Sequence, residues 1–257
     1  MRIRVYPTDR EAAVALARDI AAALRARPDL VLGLPTGRTP IRLYRELVRL
    51  HARGEIDFSH AATFNLDEFL GLPADHPGSY RAFMERHLFR HVNLDPARIH
   101  FLDGMASDPE AECERYERAI AAAGGIDLQL LGVGANGHNG FNEPARALSP
   151  RTHRVVLHAE TRRANASLFG GDVSRVPREA LSMGVATILH ARRLVLLATG
   201  ASKARVVERL VTGPVTTRLP ASLLQLHREV DVVLDRAAAA RLPERVRGEV
   251  AAPAGAG

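Results

Sequence analysis

The chain has 257 residues, 46% of them hydrophobic, a formal net charge of +6 and one cysteine, Cys113. That length and apolar content suffice for a large core and one domain, whereas a lone cysteine excludes an internal disulfide and offers no thiolate cage for a metal. No apolar run nears the roughly 20 residues that cross a bilayer, and MRIRVYPTDR at the N-terminus lacks the apolar stretch of a signal peptide. A cytoplasmic protein without membrane contact is expected. The positive charge raises nucleic-acid binding, but the arginines are interleaved with acids, as in ECERYERAI, and there is no Trp to stack on bases; no nucleic-acid partner is expected.

In chain order, Val14, Leu16, Ile20 and Leu24 recur at helical spacing and predict a helix over Asp9 to Ala26. LVLGLP, Leu30 to Pro35, is a continuous apolar run suited to a strand covered on both faces. The polar turn Thr36-Gly37-Arg38-Thr39 follows, and Pro40 opens a helix to about His51, with Thr39 as its expected N-cap. A strand over Ala61 to Leu66 leads into a loop carrying Asp67 and Pro73, then a helix from Ser79 to Arg90. A short strand near Ile99 to Leu102 precedes a helix opened by Ser107 and Glu110 in capping-box spacing. The run from Asp127 to Val133 is the next strand, and another is expected near Arg154 to His158. Helices over Arg162 to Phe169 and Met183 to His190, a strand over Leu194 to Thr199, a helix holding Lys203, and a last strand over Glu229 to Leu234 complete the pattern.

Strands alternating with helices, joined by right-handed crossovers, give an α/β fold: a doubly wound, mostly parallel sheet with helices on both faces, Rossmann-like. The expected organisation is one domain over residues 1–241 and a flexible tail over 242–257, which ends in AAPAGAG and is poor in packing side chains.

Gly132, Gly134 and Gly137 spell GxGxxG, the fingerprint of a dinucleotide turn. Such a turn opens a helix whose N–H groups hold pyrophosphate, and the HNGFNEP that follows Gly137 discourages one through Gly140 and Pro144. The loop instead presents His138 with Asn136 and Glu143 beside it, an imidazole able to accept and donate a proton near neutrality. Among the 35 basic residues Lys203 is the sole lysine, placed after an apolar strand and Gly200; a compact ammonium kept where arginine is otherwise written suggests an anion site.

Ligands of open α/β sheets bind beyond the carboxyl ends of the strands. The turn Thr36 to Thr39, Asp67, the His138 loop and Lys203 all follow predicted strands, so they are expected to meet around one anionic ligand, best a phosphate held by the turn and Lys203. Asp67 and Glu68 are adjacent, so in an extended segment they point to opposite sides, and Asp67 is taken as the one facing the ligand.

GLPTGRTP, FNLDEFLGLPADHPGSY, LLGVGANGHNGFNEP, ETRRANASLF and PASLLQLH, in this order and over about residues 3–235, resemble the glucosamine-6-phosphate deaminases. The resemblance implies conversion of glucosamine 6-phosphate and water to fructose 6-phosphate and ammonia, with no cofactor and no metal. It implies that Asp67 moves the C2 proton of the open-chain sugar to C1, that His138 moves a proton in ring opening, and that Asn136 and Glu143 orient His138. It further implies phosphate binding by Thr36, Gly37, Arg38, Thr39 and Lys203, and admits a homo-oligomer.

The chain departs from the family pattern at several places. Ser167 stands where many members carry a phosphate-binding arginine, and Arg38 replaces a small residue, which points to Arg38 restoring that charge from the opposite side. Asn139 replaces an apolar residue beside His138, a change that bears on epimer preference. Arg146, His153 and Val155 match the allosteric positions of regulated members poorly, so no such activation is expected. The competing readings are a galactosamine-6-phosphate deaminase, a 6-phosphogluconolactonase and a sugar-phosphate sensor without catalysis; a sensor would need none of Asp67, His138 and Glu143.

Overall fold

The computed structural model describes residues 1–247. Seven parallel strands form the main sheet: β1 (Arg2–Tyr6), β2 (Val31–Leu34), β3 (Ala62–Asn65), β5 (Ile99–His100), β6 (Leu128–Leu131), β9 (Arg193–Ala198) and β10 (Val230–Asp235). Their order is β1-β10-β9-β6-β2-β3-β5. From β2 the chain winds outward through β3 to β5, then returns to the other side of β2 and winds through β6, β9 and β10. The reversal between β2 and β6 is the kind of switch point where ligands lodge, and the four strands predicted to feed the site, β3, β2, β6 and β9, are consecutive across it.

Helices α1 (Asp9–Ala26), α2 (Ile41–Ala52), α3 (Tyr80–His87), α4 (Pro109–Ala122), α6 (Val185–Leu189) and α7 (Ala204–Thr212) flank the sheet; α5 (Ala159–Asn165) and α8 (Glu244–Arg247) complete the set. Successive strand residues point to opposite faces, and both faces are apolar. In β9, Leu194, Leu196 and Ala198 pack with Val206, Val207 and Leu210 of α7, whereas Val195 and Leu197 join the core built on α1 and α2. This double burial is why the strands read as uninterrupted apolar runs. One polar exception lies at the centre. Gln129 of β6 is fully buried opposite Gly33 of β2, and a Cβ on Gly33 would fall 2.1 Å from its Oε1. The glycine in LVLGLP makes room for that amide.

A second sheet, β4-β8-β7, is antiparallel: β8 (Glu179–Ser182) pairs with β4 (Asp67–Phe69) on one side and β7 (His153–Val156) on the other. It covers a small aromatic core in which Phe69 packs with Tyr80, Phe141 and Phe169. Asp67 therefore lies in a strand, not in the loop expected of it.

Other expectations are corrected by the structure. The N-terminal strand β1, read only as a non-signal segment, pairs with β10. Helix α2 starts after Pro40, whose αR backbone takes the N-cap position, and Thr39 makes no capping bond. Asp108, not Ser107, caps α4 by accepting from Ala111 N at 3.0 Å, with Pro109 at the first helical position. Leu242, where the tail was expected to begin, is 1% exposed and belongs to the main core; residues 248–257 of that expected tail lie outside the described residues. No helix among the described residues is long and apolar enough to cross a membrane.

Phe64 of β3 is fully buried, stacked on His100 and edge-on to Tyr116. Truncating such a side chain removes its transfer free energy and leaves a cavity, so Phe64→Ala is expected to destabilise the fold by about 3–5 kcal/mol, read as a lower midpoint in urea unfolding with an unchanged slope.

Candidate active site

The loop after β6 turns on two glycines. Gly137 has φ +94°, a left-handed value that favours glycine, and a Cβ there would fall 2.2 Å from Leu219 Cδ1. A Cβ on Gly134 would strike the His138 ring at 2.1 Å. Of the three glycines of the apparent dinucleotide fingerprint, Gly134 thus makes room for the imidazole and Gly137 for Leu219. No helix follows the loop until α5, as the HNGFNEP segment predicts.

His138, Asn136 and Glu143 form a chain. The Asn136 amide donates to Glu143 Oε2 at 2.8 Å, which turns its oxygen toward His138, and that oxygen accepts from His138 N at 3.2 Å and lies 2.7 Å from His138 Nδ1. An acceptor at Nδ1 fixes the proton there and leaves Nε2 free as the acceptor of the neutral ring. Glu143, expected to orient His138, does not bond the ring nitrogen. Its Oε2 is 3.6 Å from Nδ1, beyond the amide oxygen, so it acts chiefly through Asn136.

Glu143 is buried, which opposes its charge, but the adjacent His138 ring and the bonds from Thr161 and Asn136 hold it at about 2. The Thr161 hydroxyl donates to its second oxygen. His158 Nδ1, at the N-cap of α5, lies 3.7 Å from Oε2. Asn139 is buried, and its amide nitrogen faces Gly132 O at 3.0 Å and His138 O at 3.2 Å. It stitches the loop to itself.

Asp67 ends against this loop. A Cβ on Gly140 would lie 3.5 Å from Asp67 Oδ2 and 3.1 Å from Ser182 Oγ, and Ser182, opposite Asp67 in the β4·β8 register, accepts from Phe141 N at 3.1 Å. Asp67 Oδ1 is buried without a hydrogen-bond partner. Burial and the neighbouring Glu68 charge push Asp67 up to about 8. Glu68 points the other way, as alternation predicts, and accepts from the N–H groups of Phe69, Tyr80 and Arg81.

The remaining predicted residues close the ring. The Lys203 ammonium donates to Val133 O of the His138 loop at 2.9 Å. Lys203 ends a short 3-10 turn, Ala201–Lys203, and is the N-cap of α7, one turn earlier than the helix position expected of it. Burial lowers its pKa, and the charge of the exposed Arg38 guanidinium lowers it further. Gly37 has φ +93°, which lets the turn between Thr36 and Arg38 fold back. Thr36 meets the Tyr80 hydroxyl, which also donates to Asn165 at 2.9 Å, and Tyr80 senses the Asp67 charge. Ser167, by contrast, is exposed in the 3-10 turn Ala166–Phe169. Thr161, Tyr80 and Ser182 were not singled out from sequence; the first two lie within the ETRRAN and HPGSY segments, while Ser182 carries no local signal.

A buried carboxyl and a seated imidazole thus stand at the carboxyl ends of a doubly wound sheet, the edge at which open α/β folds bind their ligands. Residues 8–233 match the family model of glucosamine-6-phosphate isomerases/6-phosphogluconolactonase, and the chain belongs to that family. A glucosamine-6-phosphate deaminase of Halothermothrix orenii is 50% identical over 242 residues, 94% of this chain and 100% of the relative. Glucosamine-6-phosphate deaminase 2 of Bacillus subtilis is 50% identical over 224 residues, 87% of this chain and 90% of the relative. A solved monomeric glucosamine-6-phosphate deaminase superposes with a TM-score of 0.90 at 44% identity, covering 94% of this chain and all of that one. A 6-phosphogluconolactonase from Trypanosoma cruzi shares the fold at a TM-score of 0.72, 22% identity and coverage of 94% and 96%.

Glu143 is held below its unfolded value. Its stabilising effect is therefore complete above about pH 4.3 and is lost as pH falls toward 2. Thr161→Val removes one of the bonds that depress it, so acid unfolding followed by circular dichroism is expected to begin at higher pH than in the parent chain.

Proposed function

We propose that this chain converts glucosamine 6-phosphate and water into fructose 6-phosphate and ammonia, with all site residues supplied by one copy. The reading is supported by the approach of the His138 loop to Asp67 at Gly140, with Lys203 bonded to Val133 O of that loop, in a chain 50% identical to deaminases of that specificity.

The chemistry follows from the geometry. His138, with Nε2 free, accepts the proton of the anomeric hydroxyl and returns one to the ring oxygen, which opens the pyranose. Asp67 takes the C2 proton and delivers it to C1, an aldose–ketose shift that leaves an imine at C2; water adds to that carbon and ammonia leaves. A carboxylate with few donors is a stronger base than a solvated one, and Asp67, pushed up to about 8, suits removal of a carbon-bound proton. Asn136 and Glu143 hold the tautomer of His138 and contact no reacting atom. Thr36, Gly37, Arg38, Thr39 and Lys203 take the phosphate, with Arg38 supplying a positive charge that Ser167 lacks.

The deciding assay is ammonia release by the purified chain from glucosamine 6-phosphate, run beside galactosamine 6-phosphate and 6-phosphogluconolactone. Turnover of the first substrate above the other two is expected; preferential lactone hydrolysis, or no turnover of any, overturns the reading. Asp67→Asn and His138→Gln are each expected to lower kcat by about 10²–10⁴-fold, with KM changed little. Arg38→Ser is expected to act on the other constant, raising KM about ten-fold or more while kcat stays near that of the parent, since it removes a charged contact made equally to ground and transition states.

A further inference from the structure

The two acids of the LDEF segment stand in opposite surroundings. Glu68 is 2% exposed, yet both its oxygens are supplied with donors: Oε1 accepts from Phe69 N at 2.8 Å and Tyr80 N at 2.9 Å, and Oε2 from Arg81 N at 2.8 Å. Tyr80 and Arg81 are the first two residues of α3, whose third N–H is taken by Ser79 Oγ at 3.0 Å, so Glu68 also receives the positive end of that helix. Backbone N–H groups can only donate, and a site made of three of them selects the carboxylate. Asp67, one residue away and equally buried, has an orphaned oxygen and no such cradle. When two adjacent buried carboxyls share one negative charge, it resides on the one with donors, and the proton stays on the other.

We propose that Glu68 is a positioning residue that sets the basicity of Asp67: its charge, fixed behind the β4 backbone by the first turn of α3, raises the proton affinity of the carboxyl that faces the His138 loop. This rests on the reading of Asp67 as the base of the reaction. A solvated carboxylate is too weak a base to take a carbon-bound proton efficiently, and general-base catalysis is best served by a group titrating near the working pH. A like charge in the neighbouring position provides that shift without adding a group to the substrate side.

The other groups around the pair leave this assignment intact. Tyr44 of α2, Tyr80 of α3 and Tyr116 of α4 face Asp67, and all three hydroxyls are pushed up by burial and by Asp67 itself, so they remain neutral. On the far side, Glu68 borders a cavity of about 500 Å³ whose wall carries Arg81, Asp75, Glu85 and Asp103. Arg81 favours the Glu68 charge but is shared with Glu85, to which it is bonded at 2.8 Å. Burial raises both carboxyls, Asp67 to about 8 and Glu68 to about 7, and the three N–H donors oppose that rise at Glu68 alone.

The test is the pH profile of kcat/KM for glucosamine 6-phosphate. Asp67 must be ionised to act, so the acid limb reports its proton affinity. Glu68→Gln is expected to move that limb down by about one pH unit and to lower the limiting rate about three- to ten-fold as the base weakens. Glu68→Asp, which keeps the charge, is expected to return the limb toward that of the parent. A loss of rate in Glu68→Gln with the limb unmoved means that Glu68 only caps α3, and overturns the proposal. A second measurement needs no turnover. Because Glu68 already carries its charge when Asp67 titrates, carbon-13 carboxyl titration by NMR is expected to show Asp67 losing its proton at lower pH in Glu68→Gln than in the parent chain. An unchanged Asp67 midpoint overturns the coupling; an inactive parent chain with the midpoint shifted would sink the deaminase reading and leave the coupling standing.

Discussion

Asp67 is a buried, donor-poor carboxyl because the chain leaves the parallel sheet after β3 and at once enters an antiparallel pairing with β8, which sets Asp67 opposite Ser182. That register has two consequences. Ser182 also takes the Phe141 N–H, so the His138 loop is drawn over the Asp67 carboxyl at Gly140. Alternation along the strand then turns Glu68 to the start of α3. Sliding the pairing by one residue would exchange the two acids, placing the donor-rich carboxylate in the cleft and the bare one against the helix.

The polar machinery follows one rule, that a buried polar group needs partners unless its chemistry is served by their absence. Glu143 is fully furnished, with Thr161 on one oxygen and Asn136 on the other, and it stays ionised as a fixed support. Asp67 is left short, and its proton affinity rises. Lys203 lies between these extremes: it keeps one bond to Val133 O, and burial with the charge of Arg38 lowers its pKa. The three groups thus differ mainly in how many donors or opposite charges the fold supplies to each.

The parallel layer was legible because its strands are short, apolar on both faces and separated by amphipathic helices; α1 spans Asp9–Ala26, the range its periodicity indicates. The segments that place chemistry at the strand ends were legible too, since Gly132, Gly134 and Gly137 have no reason to cluster except to bend the backbone closely around something. Local signals failed where identity depends on a partner far along the chain. EALS, the β8 sequence, has no alternation of its own and is a strand because β4 and β7 flank it. Thr39 and Ser107 are good caps by residue type, yet Pro40 and Asp108 take those positions because the turn geometry advances each helix start by one residue.

By itself the sequence determined the layered α/β architecture, the polar loops that follow its strands and the opposite facing of Asp67 and Glu68, because hydrophobic period, turn residues and strand alternation are local properties. Only the tertiary structure decided that Asn136 stands between Glu143 and the imidazole, that Lys203 bonds Val133 O, and that the two acids of one dipeptide differ in their supply of donors. Each of these depends on which distant backbone or side chain arrives within hydrogen-bond reach, and that is fixed by packing of the whole fold.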